Sequence, residues 1–223
     1  MRNWTENQIK LTVTWIRHGR TKGNEEHRYL GKTDEPLSEN GILQLTKQKK
    51  TEKKDAGTLL FSSPMLRCIQ TAELLYDRTP IQIPEWEEMD FGRFEGKNYK
   101  ELCGDPDYQK WIDSNGTLPF PEGESREQFL ARCMQGFDRM IDKVMRLSAG
   151  FSDEGEKKGA EPELTATAVV HGGTIMAVLS TLTGSAYFDF QVENGQGYEI
   201  VLKIRTKEQK TAETVVLESC RKL

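Results

Sequence analysis

The sequence predicts an α/β fold in which a mostly parallel sheet is covered by helices on both faces. Short runs of β-branched and aromatic residues alternate along the chain with amphipathic segments whose apolar residues recur every three or four positions. Strands that alternate with helices form parallel sheets, because each helix packs on a face of the sheet as the chain crosses over. The 223 residues suffice for one large domain, which we expect to span 1–223.

Six segments have the composition and length of strands. The first, KLTVTWIR, is rich in β-branched and aromatic residues, and the last two are joined by the polar loop 206–212. We therefore expect a hairpin to close the chain. The predicted strands are 10–17, 57–63, 81–83, 166–170, 198–204 and 213–219.

Helices are predicted between these strands. Ser38 suits an N-cap, and Pro64 suits the first turn of the helix after the second strand, with Ser63 before it as the cap. The predicted helices are 38–54, 64 to at least 75, 97–113, 124–147 and 174–182.

Two segments depart from the alternation. Residues 84–123 hold four of the eight prolines, and we expect them to form a helical lid over one end of the sheet. This lid contains three aromatic residues: Phe94, Tyr108 and Trp111. One interpretation is that they stack on a base-like substrate. The other, which we favour for at least two of them, is that they pack the lid's own small core. Residues 148–163 are polar, charged and glycine-rich, which is typical of a mobile surface loop.

Charge and composition exclude several classes of partner. The net charge of −4 gives no general attraction to nucleic acid or to an anionic membrane, so neither is expected as a partner. No apolar run approaches the roughly 20 residues that span a bilayer, and the N-terminus lacks a signal-peptide core. The four cysteines form no CxxC pair, so we expect reduced thiols in a cytoplasmic protein.

Basic side chains follow three of the predicted strands at the point where each strand ends. Arg17 and His18 end the first strand, and Arg67 lies one turn into the helix after the second. His171 ends the fourth strand. Ligands bind beyond the carboxyl ends of the strands in such sheets, so the four groups are expected to meet there. They would repel one another unless an anion lay among them, and arginine binds phosphate with a bidentate fork.

A single histidine after a strand is more often structural than catalytic, so the hypothesis depends on the whole set. Four basic groups at three strand ends make coincidence a weaker explanation. Ser63 and Gly172 also lie just before predicted helices, whose N-termini add N–H donors and a positive dipole end. The sequence therefore predicts a phosphate site.

Six blocks of sequence around these residues resemble a known family. RHGRTKGN at 17–24 fits the pattern R-H-G-x-T-x-x-N, and five more blocks follow in a fixed order: RYLGKTDEPLSENG, SSPMLRCIQTAE, EMDFGRFEG, PEGES and VVHGGT. In this set and order the chain resembles the histidine phosphatase superfamily, which includes the cofactor-dependent phosphoglycerate mutases. The resemblance implies a three-layer α/β/α sandwich, which agrees with the order of strands and helices.

The resemblance also implies a role for each matching residue. His18 matches the nucleophile that becomes a phosphohistidine, and Glu88 matches the acid that protonates the leaving alkoxide and then assists water. Glu87 and Asp90 are rivals for that role, and the position just before MDFG selects Glu88. The expected contacts to phosphate and substrate are Arg17, Thr21, Asn24, Arg67, His171 and Gly172.

Physical chemistry agrees with these roles. Flanking Arg17 and Arg67 disfavour another positive charge, so we expect them to lower the pKa of His18 and keep its imidazole nucleophilic. Arginines also stabilise the equatorial oxygens of a phosphoryl group in transfer. Because arginines and histidines supply the positive charge, neither a metal nor a cofactor is expected.

The chain resembles the phosphatase branch of the family most in its modest length and in the blocks EMDFGRFEG and PEGES. Within it, RYLGKTDEPLSENG and FGRFEG most resemble the α-ribazole 5′-phosphate phosphatases of cobalamin nucleotide-loop assembly. The alternatives are a broad-specificity phosphatase, a phosphoglycerate mutase and, as a minor one, a phosphate-binding protein without activity. The expected partner is a small-molecule phosphomonoester, and the chain is expected to be a monomer or homodimer.

Three positions near the motif depart from the family or stand outside it. Arg20 replaces a common Glu or Gln and is either a surface residue paired with an acid at 25–26 or a substrate contact. Leu30 replaces a polar residue, so one phosphate hydrogen bond is expected to be missing or replaced. His27 is expected to be non-catalytic. Within the motif itself, Gly19 is expected to let the chain turn close to the anion.

Overall fold

The computed structural model describes residues 7–51, 59–148, 163–206 and 212–223. Its strands are β1 (Asn7–Arg17), β2 (Leu59–Ser62), β3 (Ile81–Gln82), β4 (Glu163–Val170), β5 (Gly197–Thr206) and β6 (Ala212–Lys222). They form one sheet in the order β3-β2-β4-β1-β5-β6. The pairs β3–β2, β2–β4 and β4–β1 are parallel, whereas β5 is antiparallel to both β1 and β6. The predicted parallel sheet and closing hairpin are confirmed.

The register brings the carboxyl ends of the central strands level with one another. Arg17, the last residue of β1, lies beside Val170, the last residue of β4. Ser62, the last residue of β2, lies beside Val169. The N–H of His18 continues this edge by donating to the carbonyl of Val170 at 2.9 Å. Three strand ends therefore meet at one place.

Helices cover both faces of the sheet. They are α1 (Lys22–Glu25), α2 (Glu39–Thr51), α3 (Leu66–Tyr76), α4 (Pro106–Asp113), α5 (Arg126–Ser148) and α6 (Gly172–Thr183). Successive side chains of a strand point to opposite faces. Accordingly, Val13 and Trp15 of β1 are buried in one core with α5 and α6, whereas Ile16 is buried in a second core with α2 and α3. The three-layer α/β/α sandwich is confirmed.

The start predicted for α3 is wrong. The helix begins at Leu66 with Met65 as its N-cap, so Pro64 and Ser63 precede it. The N–H of Ser63 donates to the carbonyl of Val169 at 3.0 Å, which continues the sheet past β2. The sequence showed a serine before a proline, but it did not show that the backbone of Ser63 is held by the neighbouring strand.

The helix predicted over 97–113 is only the eight residues of α4. Asp105 caps it by accepting from the N–H groups of Asp107 and Tyr108, and Pro106 occupies its first turn. Before it, the Asn98 side chain accepts from the N–H groups of two following residues and forms a turn instead. The Asp-Pro start signal decides where this helix begins.

The segment 84–123, predicted as a lid, contains an aromatic cluster that is continuous with the core between the sheet and α5 and α6. The Phe94 side chain is fully buried, with ring centroids 5.4 Å from Tyr108 and 5.8 Å from Phe120. Tyr108 stacks on Trp111 at 6.4 Å and 13°. Phe94 and Tyr108 thus pack the lid itself, as the second interpretation of its aromatic residues required.

Other boundaries are close to those predicted. Ser38 caps α2, since its hydroxyl accepts from the N–H of Gly41 at 3.0 Å. The loop predicted over 18–37 contains the one-turn helix α1, and β4 begins at Glu163. The predictions for 52–54, 57–58, 149–162 and 207–211 lie outside the described residues. Among the described helices, none combines the length and apolar character needed to cross a bilayer.

Leu45 and Leu43 of α2 offer a test of the second core. The Leu45 side chain is fully buried, whereas Leu43 is 66% exposed. We expect Leu45→Ala to lower the free energy of unfolding by about 2–5 kcal/mol, because the cavity adds to the lost transfer energy. Leu43→Ala should change it by less than about 0.5 kcal/mol. Urea unfolding of both variants measures this, and equal effects would contradict the placement of α2.

Candidate active site

His18 lies at the centre of the cluster at the strand ends. Its side chain is only 3% exposed, and its Nδ1 lies 2.7 Å from the carbonyl oxygen of Gly19. A carbonyl only accepts, so in the neutral ring Nδ1 carries the proton and Nε2 holds the free lone pair. The Asn194 side chain donates to the carbonyl of His18 at 3.0 Å and fixes the turn. The ring thus has a fixed tautomer with a nucleophilic Nε2.

His171 faces His18 across the site. The ring centroids are 5.2 Å apart at 67°, and Nε2 of His171 lies 2.8 Å from the Ser63 hydroxyl. Burial, and then the nearby charges of Arg67 and Arg17, hold the pKa of His18 well below its usual range. Burial is also the main cause of a lowered pKa at His171, followed by Arg67. Both imidazoles are therefore neutral at neutral pH, as predicted for His18.

Two arginines bring fixed positive charge to the neutral imidazoles. Arg67 is 1% exposed and donates to the carbonyls of Thr33, Gly31 and Leu30 at 2.9, 3.2 and 3.4 Å. Arg17 donates from Nη1 to the carbonyl of Val192 at 2.8 Å. Its Nε is buried and has no hydrogen-bond partner among the described residues. An unsatisfied buried donor in a positive site is an anion-binding feature.

The N-terminus of α6 completes the positive side. His171 is its N-cap, so Gly172 is the first residue of the helix rather than the residue before it. A Cβ on Gly172 would lie 3.4 Å from the unpartnered Nε of Arg17. The first N–H groups of α6 have no intrahelical acceptor, so they add donors beside the guanidinium.

Glu88 lies opposite these cations and is 12% exposed. Its Oε2 is 3.9 Å from Nδ1 of His171, and its Oε1 accepts from the N–H of Met89 at 3.0 Å. Burial raises the pKa of its carboxyl and outweighs the opposing hydrogen bond and arginine charges. The rivals lie elsewhere, since Glu87 is exposed and Asp90 pairs with Lys32 at 2.5 Å. The structure brings Glu88 into the cluster.

Gly173 was missed by the sequence analysis as a residue that shapes the site. A Cβ added there would lie 2.5 Å from Oε1 of Glu88 and 3.1 Å from the Phe129 ring. The second glycine of VVHGGT therefore makes room for the carboxyl. The two consecutive glycines were a sequence signal for close packing, but Glu88, which packs against Gly173, is remote in sequence.

Thr21 and Asn24 form the cap of α1. The Thr21 hydroxyl accepts from the N–H of Asn24, and Oδ1 of Asn24 accepts from the N–H of Thr21, both at 3.2 Å. Asn194 also donates to Oδ1 of Asn24 at 3.2 Å. The two residues thus shape the loop after His18, and direct contact between them and phosphate stays a prediction. No sequence signal pointed to Asn194.

The structure gives different reasons for Gly19 and Leu30. A Cβ on Gly19 would lie 2.5 Å from Cδ1 of Leu45, and Gly19 is not in the left-handed region, so its lack of a side chain makes room for Leu45 under the loop. Leu30 packs against Gly23, and its carbonyl orients Arg67. The position where a polar side chain was expected thus contributes its backbone instead.

Arg20 is exposed and lies outside the cluster. It lines a second cavity of about 570 Å³ that shares Arg17 with the site. The acids proposed to pair with it have other partners, since Glu25 accepts from Ser38 and Glu26 pairs with Arg28. His27 lines the same polar cavity, away from the imidazole pair.

A cavity of about 660 Å³ opens beside Arg17 and Glu88. Aromatic side chains form much of its wall: Tyr29, Phe91, Trp111, Phe120, Tyr187 and Phe188. Arg17 and Gly172 line this cavity, whereas His18 is buried and does not line it. In the described part of the chain, no three His, Cys, Asp or Glu side chains converge to hold a metal ion.

An α/β/α sandwich that gathers two imidazoles, two guanidiniums and a carboxyl at its strand ends defines the class of protein, a phosphatase of the histidine type. Comparison with known families agrees, since the sequence model of the histidine phosphatase superfamily (branch 1) matches residues 13–214. The chain belongs to this superfamily.

Similar proteins carry two different names. The Probable phosphoglycerate mutase GpmB of Yersinia pestis (strain Pestoides F) is 32% identical over 181 residues, which are 78% of this chain and 75% of that protein. The crystal structure of a provisionally named alpha-ribazole-5′-P phosphatase from Escherichia coli K-12 MG1655 is 26% identical, with a TM-score of 0.67 over 96% of this chain and 97% of that one. The alpha-ribazole phosphatase of Shigella flexneri, 24% identical, shows the same fold with a TM-score of 0.61 over 95% and 96% of the two chains.

The lowered pKa of His18 predicts a pH-dependent stability. Below about pH 6.5 the unfolded chain binds a proton on this histidine that the folded chain does not, so stability falls as the pH falls through that value. One such group contributes up to about 1.4 kcal/mol per pH unit. We expect His18→Asn, which keeps a donor for Gly19, to reduce the slope of unfolding free energy between about pH 6.5 and 5.5. Urea unfolding at several pH values tests this, and an unchanged slope would mean that the folded His18 is protonated.

Proposed function

We propose that this protein hydrolyses small-molecule phosphomonoesters through a phosphohistidine on His18, without a metal. The observation that carries the proposal is the hydrogen bond from Nδ1 of His18 to Gly19, which leaves the Nε2 lone pair free in a buried positive cluster. A nucleophilic imidazole must be neutral, and burial with two flanking arginines favours the neutral form.

In the first step, Nε2 of His18 attacks the phosphorus and the bond to the leaving oxygen breaks. Glu88, protonated because burial raises its pKa, gives its proton to the leaving alkoxide, which departs as a neutral alcohol. Arg17, Arg67 and the N-terminus of α6 stabilise the charge on the three phosphoryl oxygens.

In the second step, water attacks the phosphohistidine. The Glu88 carboxylate takes the proton of that water, the N–P bond breaks, and His18 is released neutral with inorganic phosphate as the product. Glu88 regains its proton, so one ester and one water give one alcohol and one phosphate. A general acid and base of this kind typically raises the reaction rate by a factor of ~10²–10⁴.

The nucleophile is tested with p-nitrophenyl phosphate in the presence of EDTA. We expect wild type to be active and His18→Asn to lose about 10³-fold or more of kcat, because Nε2 of the neighbouring His171 is bonded to the Ser63 hydroxyl and does not replace the nucleophile. Glu88→Gln should keep forming the phosphohistidine from this activated ester but hydrolyse it slowly. Rapid-quench mass spectrometry would detect a phosphoryl group on His18. Inactive wild type would contradict the enzyme, and loss of activity in EDTA would contradict the metal-free mechanism.

We infer that the leaving group is flat and larger than a three-carbon acid, with α-ribazole 5′-phosphate of cobalamin assembly as the specific candidate. The cavity of about 660 Å³ with aromatic walls supports this, since rings bind well against such walls. Trp111 lines it, whereas Phe94 and Tyr108 belong to the lid core. The provisional name of the Escherichia coli relative points the same way.

Phe188 tests this substrate class. It lines the cavity and is 41% exposed, so a bound ring would cover it. We expect Phe188→Ala to lower kcat/KM about two- to tenfold for α-ribazole phosphate and little for glycerol phosphate. Tyr99→Ala is the control, since Tyr99 is 57% exposed and does not line the cavity. An equal loss on both esters would contradict an aromatic leaving group.

A phosphoglycerate mutase is the second candidate, and Arg126 is the observation that favours it. Its guanidinium lines the same cavity, 5.0 Å from the Tyr187 ring, where it would meet a substrate carboxylate. The 32% identity to a protein named phosphoglycerate mutase supports it as well. Robust isomerisation of 3-phosphoglycerate would decide for the mutase, and phosphate binding without turnover would decide for a phosphate-binding protein.

A further inference from the structure

Arg132 of α5 lies outside the phosphate cluster and uses every donor it has. Its Nε and Nη2 bond the Glu124 carboxylate at 3.1 and 2.8 Å. Nη1 donates to the carbonyls of Glu85 and Glu87, both at 2.8 Å, and Nη2 to the carbonyl of Glu88 at 3.4 Å. Five N–H groups thus meet five acceptors, the full capacity of a guanidinium.

Three of those acceptors belong to the segment that carries the carboxyl of the site. This segment begins with the short turn Pro84–Trp86, and the carbonyls of Glu85, Glu87 and Glu88 all accept from the Arg132 guanidinium. A single guanidinium therefore fixes three main-chain carbonyls in the segment that carries Glu88.

Glu124 holds the other end of the same segment. Its N–H donates to the carbonyl of Asp90 at 2.9 Å, and its Oε2 accepts from the N–H of Asp90 at 3.4 Å. The ion pair of Arg132 and Glu124 is only partly exposed, with 27% and 15% of the two side chains open to solvent. Glu88 is therefore held from both sides by one pair.

We propose that Arg132, oriented by Glu124, is the positioning residue that sets the Glu88 carboxyl against the leaving group of the substrate. The inference rests on the proposed function, in which Glu88 is the proton donor. A misplacement of about 1 Å can cost about 10²-fold in rate. Lysine cannot replace this arginine, since an ammonium has three donors at one point and no fork.

Proton donation matters most for esters with poor leaving groups, which gives a specific readout. Benzyl phosphate releases an alkoxide and needs the proton, whereas p-nitrophenyl phosphate releases a stable phenolate and needs it little. The ratio of kcat/KM for these two esters, measured on one preparation, does not depend on the fraction of active enzyme. A general loss of stability would lower both rates and leave the ratio unchanged.

We expect Arg132→Lys to lower the benzyl to p-nitrophenyl ratio about tenfold or more relative to wild type. The matched control is Arg139→Lys on the same helix, since Arg139 also bonds Glu85, at 2.5 Å, but only through its side chain. Its ratio should not change. Glu88→Gln is the reference and should show the largest fall, because it removes the proton itself.

An unchanged ratio in Arg132→Lys, beside a fall in Glu88→Gln, would overturn the positioning role and leave the proposed function intact. An unchanged ratio in Glu88→Gln would instead contradict Glu88 as the donor, and wild type inactive on both esters would contradict the proposed function and this inference with it. If Arg132→Lys does not fold by circular dichroism, Glu124→Gln tests the same ratio, since it weakens the orientation of Arg132 but keeps the guanidinium.

Discussion

Burying positive charge at the end of a sheet is the constraint on which the rest of the structure depends. Arg67 is almost fully buried, and taking an ion out of water costs several kcal/mol unless other groups replace the water. The carbonyls of Leu30, Gly31 and Thr33 do so for Arg67, and the carbonyl of Val192 does so in part for Arg17. His18 and His171 remain neutral beside them. The result is a positive site in which the phosphate dianion of the proposed substrate would replace the water that the cations have lost.

Burial favours the protonated form of the Glu88 carboxyl in the same site, although arginines surround it. Arg17, Arg67 and Arg132 all favour its charged form, but burial has the larger effect and raises the pKa of Glu88. An acid that stayed ionised could not donate a proton to a leaving alkoxide. In the proposed mechanism the fold therefore separates two tasks, since the cations at the strand ends bind phosphate while the segment tied to α5 supplies the proton.

Much of this followed from local sequence. The strand ending in Arg17 and His18, the glycines after His171 and the order of strands and helices were predicted, because periodicity and strand ends are local properties. Boundaries set by tertiary contacts were not. Ser63 was placed as a helix cap, yet its backbone extends the sheet and its hydroxyl meets His171, 108 positions away. Local propensity carried no information about that partner.

The sequence by itself determined the class of fold and the set of basic groups that converge, because parallel strands bring their carboxyl ends to one edge whatever the loops do. Only the tertiary structure decided the pKa shifts of His18 and Glu88 and the hydrogen bonds from Arg132 to the segment that carries Glu88. Each of these depends on burial or on a hydrogen bond between residues far apart in the chain, as in the 44 positions that separate Arg132 from Glu88. Such contacts leave no periodic or compositional trace, so only the folded chain reveals them.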